Sequence, residues 1–350
     1  MVKKKSVEKL KKGGKRKKKS FREDLEKNES GSVGSILLTV ILLFILIGVL
    51  IILVYMLYVN IPGEPEYGTV VELDGLIADS PVLEVRQFFP NTKFNHNLIT
   101  YKIDATCSDD KKERMLEAFS IVSQETKLIN FKETLSKPDI DVSCSEEDVH
   151  EIEEEYFIAG EGGAKEIIQT GRFNVITEGI ILLFDAQNSK TAKCDYPNIE
   201  LHELMHVFGF DHSEDKKSLM NPYLEFCEQT LDKSIIDELK RLYSIENFSD
   251  LYFENIKAIK NGRYLDFNLT IKNSGVANAE NVKFSVFDNG ELVQTREIDG
   301  IPYGAGVSIE VKNFKLINRN SKDVEFVIDY EKIIKEIDEE NNNAVIRFES

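Results

Sequence analysis

Residues 202–212 read His-Glu-Leu-Met-His-Val-Phe-Gly-Phe-Asp-His, and the spacing within that string decides how the chain is read. His202 and His206 are four apart, so a helix stacks them on one face, a turn from each other, and brings two ring nitrogens to one point. Gly209 takes a positive φ at no Cβ cost, so the helix stops there and the chain turns. That turn returns His212 as a third nitrogen. Three protein nitrogens leave one tetrahedral position to water, the arrangement of catalytic rather than structural zinc. Glu203, next to the first ligand, is placed to take a proton from that water as it attacks a carbonyl. The whole chain has five histidines, and a surface helix carrying solvated histidines does not account for three of them at this spacing with a glutamate and a glycine.

The string resembles the metzincin metallopeptidases, which share it and follow it with a methionine turn. Here Ser218-Leu219-Met220-Asn221-Pro222-Tyr223 follows, and the resemblance implies that Met220 forms an apolar floor under the metal. Within the metzincins the chain is most similar to matrixins. Ser213 directly follows the third histidine, and Pro222 and Tyr223 stand where matrixins place the wall of the pocket for the residue after the cut bond. The position two past the methionine is Pro222, so the tyrosine ligand of other branches is not expected.

The resemblance covers about residues 90 to 245 and implies an α+β zincin fold, with elements that can be read directly. Leu98–Ile103 is rich in β-branched and aromatic residues and reads as a strand. Lys111–Gln124 reads as a helix with Met115, Leu116, Phe119, Ile121 and Val122 on its apolar face. Leu128–Phe131 and Asp139–Val142 are strand candidates, Gly179–Phe184 is a continuous apolar run suited to a buried strand, and Leu231–Tyr243 reads as a closing helix. Gly160–Gly163 reads as a flexible loop near the cleft. Two family features are not expected. Only His96 and His150 remain outside the motif for a second zinc site, and residues 60–90 contain no cysteine for an inhibitory pro-segment.

The flanks place this domain. Ile36–Val59 carries no charge over 24 residues; as a helix it spans about 36 Å, enough for a hydrocarbon core of about 30 Å. A cleaved signal peptide would have a shorter apolar core and a small-residue cleavage site, so an uncleaved anchor at 35–59 is expected. Residues 1–34 hold thirteen Lys and Arg against five Asp and Glu, while the whole chain carries −17. A basic flank of this kind sets orientation, so a disordered cytoplasmic tail at 1–34 and an extracytoplasmic remainder are expected, with 60–90 as a linker. The strongly acidic remainder argues against nucleic-acid partners.

Cys107, Cys144, Cys194 and Cys227 all follow the apolar span. An even count in an extracytoplasmic region implies two disulfides with three possible connectivities; proximity in sequence favours Cys107–Cys144 and Cys194–Cys227.

After Tyr243 the pattern changes. Leu265, Phe267, Leu269 and Ile271 alternate with polar residues, as do Val282, Phe284 and Val286, and Val324, Phe326 and Ile328; Asn-Gly pairs at 261–262 and 289–290 mark hairpins. Residues 251–350 fit an all-β immunoglobulin-like sandwich, similar to the cell-adhesion-related domains of prokaryotic surface proteins through Asn273-Ser274-Gly275, Ala279, Asn281, Val282 and the ending Ile337-Asp338-Glu339-Glu340-Asn341-Asn342. That ending could bind Ca²⁺, with a solvated loop as the stronger reading. The domain shows no catalytic constellation and suits contacts at a cell surface.

The reading is a metalloendopeptidase (matrixin-like domain 91–246) using one Zn²⁺ held by His202, His206 and His212, with Glu203 as general base and a polypeptide substrate. The competing class is a surface adhesion or sensing protein on a non-catalytic zincin scaffold. Loss of a ligand or of the glutamate would favour it, and neither is lost.

Overall fold

The structure, a computed structural model, describes residues 23–73, 85–145, 158–184 and 194–349. Most of the basic tail and His150 lie outside them. The chain divides into two compact units, 1–61 and 62–350.

The first unit is helix α1, Glu23–Asn60. Within its segment Gly34–Asn60 an 18-residue window has a mean hydropathy of 3.5 and no buried share, and the segment is long and apolar enough to cross a membrane. The helix starts earlier than the expected 35–59: Glu23–Val33, expected to be disordered, continues it. Nucleation is the costly step in helix formation, so a strongly helical apolar segment extends backward over Glu, Lys and Leu at little further cost.

The second unit begins with β1, Pro65–Leu73, where a linker was expected. A mixed α/β domain follows: β2 Thr92–Phe94, β3 Leu98–Ile103, α2 Asp109–Thr126, β4 Asn130–Glu133, β5 Ile140–Ser145, β6 Gly160–Gln169, β7 Asn174–Phe184, α3 Asn198–Val207 and α4 Lys233–Ser244. The strand order is β2-β7-β5-β3-β4, with β6 paired to β7. All pairings are parallel except β6 with β7. Helix α2 starts where Ser108 accepts the Lys111 N–H and two aspartates occupy the first turn, and it stops at Lys127 in the left-handed region. Its inner face buries Met115, Phe119 and Val122 against the sheet, whereas Leu116, expected there, is exposed. The core is continuous from Ile99 and Val142 on the sheet to Leu201, Leu204 and Met205 on α3 and Leu239 and Leu242 on α4.

The remaining strands are β8 Leu251–Asn261, β9 Tyr264–Asn273, β10 Ala279–Asp288, β11 Glu291–Ile301, β12 Gly306–Lys315, β13 Asp323–Ile328 and β14 Asn343–Phe348. They form a β-sandwich. The alternating residues turn inward: Leu265, Phe267, Leu269, Ile271, Phe284, Val324 and Phe326 are all buried. Phe267 meets Phe326 at 5.0 Å and Phe284 at 6.2 Å between ring centroids, across the two layers. Asn289 and Gly290 both have positive φ (49° and 82°), as a two-residue hairpin between β10 and β11 requires.

Strand β1 sits between β14 and β8 in the order β11-β10-β13-β14-β1-β8-β9-β12. Pro65–Tyr67 pairs with β8 and Gly68–Leu73 with β14, so one strand crosses from one layer to the other. The expected linker therefore supplies a sandwich strand, and the α/β domain is an insertion between the sandwich's first and second strands. The run Tyr67-Gly68-Thr69-Val70-Val71 carries the β-branched and aromatic character of a strand, but its partners lie far away in sequence. The boundary at 91 also moves. Gln87 pairs antiparallel with Phe210, and Asp211 donates to the Arg86 carbonyl at 3.0 Å, so 86–88 belong to the α/β domain.

The inserted domain meets the sandwich through Phe173, Val175 and Val276, with Ile245, Tyr303 and Ile337 packed around them. Polar contacts frame this cluster: Thr170 Oγ1 donates to the Ser274 carbonyl at 2.6 Å, and Arg172 reaches Asp250 at 3.2 Å.

Candidate metal centre

Helix α3 is buried along its whole length. Its start is held by a buried ion pair, with Arg114 of α2 reaching both Glu200 oxygens at 3.2 and 3.3 Å and the Cys194 and Tyr196 carbonyls at 2.8 and 3.2 Å. Its end is set by Gly209, at φ 87°; a Cβ there would also lie 2.7 Å from Thr92, so both conformation and space require glycine. The chain then turns, and Asp211 Oδ1 accepts the His212 N–H at 2.7 Å.

The three imidazoles converge. His206 Nε2 lies 3.0 Å from His202 Nε2 and 3.2 Å from His212 Nε2. His202 Nδ1 faces the Leu219 carbonyl at 2.7 Å and His206 Nδ1 the Phe210 carbonyl at 2.8 Å. A carbonyl only accepts, so both Nδ1 atoms carry hydrogen, and in the neutral ring Nε2 is then a bare lone pair. The His202 and His206 Nε2 atoms therefore cannot hydrogen-bond to each other; their lone pairs face a common point, which a cation resolves. A tetrahedral zinc with bonds of about 2.0–2.1 Å holds nitrogen ligands roughly 3.3 Å apart, close to the spacing here. Burial, with the neighbouring imidazoles, pushes His202 down to about 3. Burial also lowers His206 and His212, so all three stay in the neutral form that ligates metal. His212 is exposed and marks the open side.

Glu203 lies on the same helix, 6 % exposed. Burial pushes its carboxyl up to about 8, Glu161 adds to that, and an N–H from Gly162 works in the opposite direction. A cation on the adjacent imidazoles favours the ionised form. The segment Gly160–Gly163, expected to be a flexible loop, is the start of β6 and runs tightly over α3. A Cβ on Gly162 would fall 2.2 Å from the Glu203 carbonyl oxygen, and one on Gly160 2.7 Å from Glu203 Cγ. These glycines permit the close approach of strand and helix. Glycine richness alone does not separate a loop from a strand pressed against another backbone.

The methionine turn contributes through its backbone. Met220 is buried, its carbonyl accepts the Ser213 N–H at 2.8 Å, and the preceding Leu219 carbonyl orients His202. Gln229, buried and not signalled by any motif, braces this segment. Its Nε2 donates to the carbonyls of Lys216 (3.1 Å), Ser218 (3.4 Å) and Tyr223 (3.0 Å), and its Oε1 accepts from the N–H groups of Glu225 (2.8 Å) and Phe226 (3.0 Å). Pro222 and Tyr223 are exposed at the rim of the turn. Disulfides join Cys107 to Cys144 and Cys194 to Cys227, the pairing favoured by proximity. The second links the segment before α3 to the segment after the methionine turn. His96 makes an ion pair with Asp139 at 3.3 Å. Among the described residues, the one His, Cys, Asp or Glu cluster with metal-ligand spacing is His202, His206 and His212.

Three converging imidazoles, a buried glutamate beside them and a mixed sheet behind define a zincin-type domain, here carried within a β-sandwich. Residues 93–244 match the family model of Matrixin, and residues 249–346 match that of CARDB. The chain thus carries a matrixin-like domain followed by a CARDB domain. Similar solved structures include the CARDB domain of a Pyrococcus furiosus protein in complex with di-metal ions, at 20 % identity and TM-score 0.24, covering 29 % of this chain and 88 % of that one. Another is a domain of a protein described as a cell surface protein from Methanosarcina acetivorans, at 16 % identity and TM-score 0.23, covering 29 % and 93 %. No curated protein matches.

Proposed function

We propose that this protein is a membrane-anchored zinc endopeptidase whose α/β domain and sandwich face the outside of the cell. The observation that carries the reading is the convergence of three imidazoles, with His206 Nε2 3.0 Å from His202 Nε2 and 3.2 Å from His212 Nε2, two of them with Nδ1 committed to a carbonyl, beside buried Glu203. His202, His206 and His212 would hold the ion. When bound, zinc acidifies water and polarises a carbonyl. Glu203 accepts the proton of the attacking water and passes it to the leaving amine. Gly162 holds that carboxylate through its N–H. Among the described residues strand β6 pairs on one side only, with β7, and its start lies against the Glu203 segment of α3, so the other edge suits an extended polypeptide paired by main-chain hydrogen bonds. Met220 supports the ligand helix, and Pro222 and Tyr223 form the wall for the residue after the cut bond. Helix α1 is the anchor, with the basic tail inside by its charge. The CARDB domain makes surface contacts.

The test is metal analysis and peptide-library cleavage on the full chain in detergent, beside Glu203→Ala. One zinc per chain in both, with turnover down by about 10²–10⁴ in the variant, is the expected result. Zinc bound with equal cleavage in both would remove Glu203 as the base, and a folded chain that takes no metal would favour the non-catalytic scaffold.

A further inference from the structure

The sandwich holds a second set of unsatisfied ligand atoms, remote in sequence from the zinc motif. Glu339 Oε2, Asn341 Oδ1, Asn342 Oδ1 and Asn343 Oδ1 are all buried and have no hydrogen-bond donor. Buried acceptors without a partner are rare and costly; four within five consecutive residues ask for a ligand. Amide reversal does not remove the one on Asn341. Asn341 Nδ2 donates to Asp250 Oδ1 at 2.8 Å and Asn342 Nδ2 to Glu336 Oε1 at 2.8 Å. Asp250 takes Arg172 and Ser274 on its other oxygen and only accepts, so Asn341 Oδ1 is fixed as the free end. Asn341 and Asn342 are 6 % and 8 % exposed. Glu339 Oε1 is occupied by the Glu336 N–H at 3.2 Å, which leaves Oε2 as the orphan.

Glu339, Asn342 and Asn343 line a cleft of about 590 Å³ with Glu325, Asp329 and Glu340. Lys332 is the cation on its wall, set against four carboxylates. One buried water donates two hydrogens and leaves the remaining oxygens unmet. The donor set is all oxygen, mixes carboxylate with amide carbonyl, and comes from an irregular loop. Calcium accepts six to eight such oxygens in flexible geometry, whereas magnesium demands a near-ideal octahedron and retains its waters.

We propose that residues 339–343 form a calcium site in the sandwich, with Glu339 Oε2 and the side-chain carbonyls of Asn342 and Asn343 as ligands and Asn341 completing the oxygen set. The site is one hydrogen bond from the domain junction. Asn341 holds Asp250, whose other oxygen takes Arg172 of the α/β domain at 3.2 Å and Ser274 at 2.8 Å. Calcium therefore also steadies the seam between peptidase domain and sandwich.

The experiment is calcium titration of the full chain in detergent micelles with zinc supplied, read by calorimetry and by hydrogen exchange. One calcium per chain is expected, with Kd at or below the 10⁻⁴–10⁻³ M range of extracellular modules and exchange protection gained at 336–343. Glu339→Gln and Asn343→Ala should each weaken binding about tenfold or more, while His206→Ala leaves it unchanged because imidazole nitrogen is a poor calcium ligand. A folded wild-type chain that binds no calcium at about 10 mM overturns the site. So does calcium that protects a different segment, a reading that needs no substitution and decides the case even where a variant does not fold.

Discussion

Single side chains and single missing side chains set the geometry of the candidate metal centre. His202 owes its tautomer to the Leu219 carbonyl, and that carbonyl owes its place to Gln229, whose amide reaches five backbone groups around the methionine turn. Gln229→Ala leaves several buried carbonyls and N–H groups without partners, at about 1–3 kcal/mol for an unsatisfied buried group. Its effect should reach the metal: zinc affinity falls about tenfold or more, as with other supports of a metal ligand. Peptide turnover at saturating zinc falls less. Unaltered zinc affinity by competition with a chromogenic chelator would show that the turn holds His202 without Gln229. Gly162→Ala is the complementary case, an added methyl with no room, since its Cβ would meet the Glu203 backbone oxygen at 2.2 Å. Strand and helix must part, and turnover should fall at least tenfold with zinc still bound. The sequence motif named the three histidines and the glutamate because ligand spacing on a helix is a local property. Gln229 and Gly162 act through groups brought together by tertiary folding, and no spacing rule signals that.

At the scale of elements, the short strand β2 is locked to the end of α4 by one buried lysine. Lys93, fully buried, donates to the Leu242 carbonyl at 2.9 Å, the Ile245 carbonyl at 3.4 Å and Asn247 Oδ1 at 3.0 Å, and sits 5.2 Å over the Tyr243 ring. An ammonium at a helix C-terminus complements the exposed carbonyls, but burial still pushes Lys93 down to about 8 from 10.5. Below pH 8 both folded and unfolded chains carry the proton and the burial penalty is present in full. As pH rises from about 8 towards 10.5 the folded chain releases the proton first, the unfolded chain binds more, and stability rises. The gain between pH 8 and about pH 9.5 should be about 2 kcal/mol, and it should vanish in Lys93→Met. Parallel denaturant curves for both proteins measure it; an equal pH slope in the two would show that Lys93 does not supply it. The α2, β3 and β7 elements were legible because their periodicity or apolar runs are local. The three-residue β2 was not, since so short a strand carries no period, and a lysine at its centre reads as surface until its partners on α4 are known.

At the scale of the whole molecule, the order of the chain and the order of the strands diverge. The sandwich pattern from 251 onward was plain in the alternation of Leu265 to Ile271, but the domain is closed by β1, upstream of the entire α/β domain. The apolar helix α1 ends only a few residues before that strand, so the chain passes into the sandwich before it enters the α/β domain. Alternation cannot reveal this, because strand partners as far away in sequence as Tyr67 and Ile259 or Gly68 and Phe348 leave no mark in the strand's own pattern. The crossing point is Gly68, where a Cβ would lie 2.3 Å from Ile346 and 2.8 Å from Phe348. Gly68→Val should therefore displace β1 from β14, expose the edge of a strand that is now paired on both sides, and destabilise the sandwich by the several kcal/mol of an overpacked core position. The zinc site shares no side chain with this seam, so peptide turnover at low temperature should persist while the thermal midpoint of the sandwich drops. Hydrogen exchange separates the two domains: faster exchange confined to β1, β8 and β14 is the expected pattern. Equal loss of protection in α3 would instead mean that the inserted domain depends on the closed sandwich for its own stability.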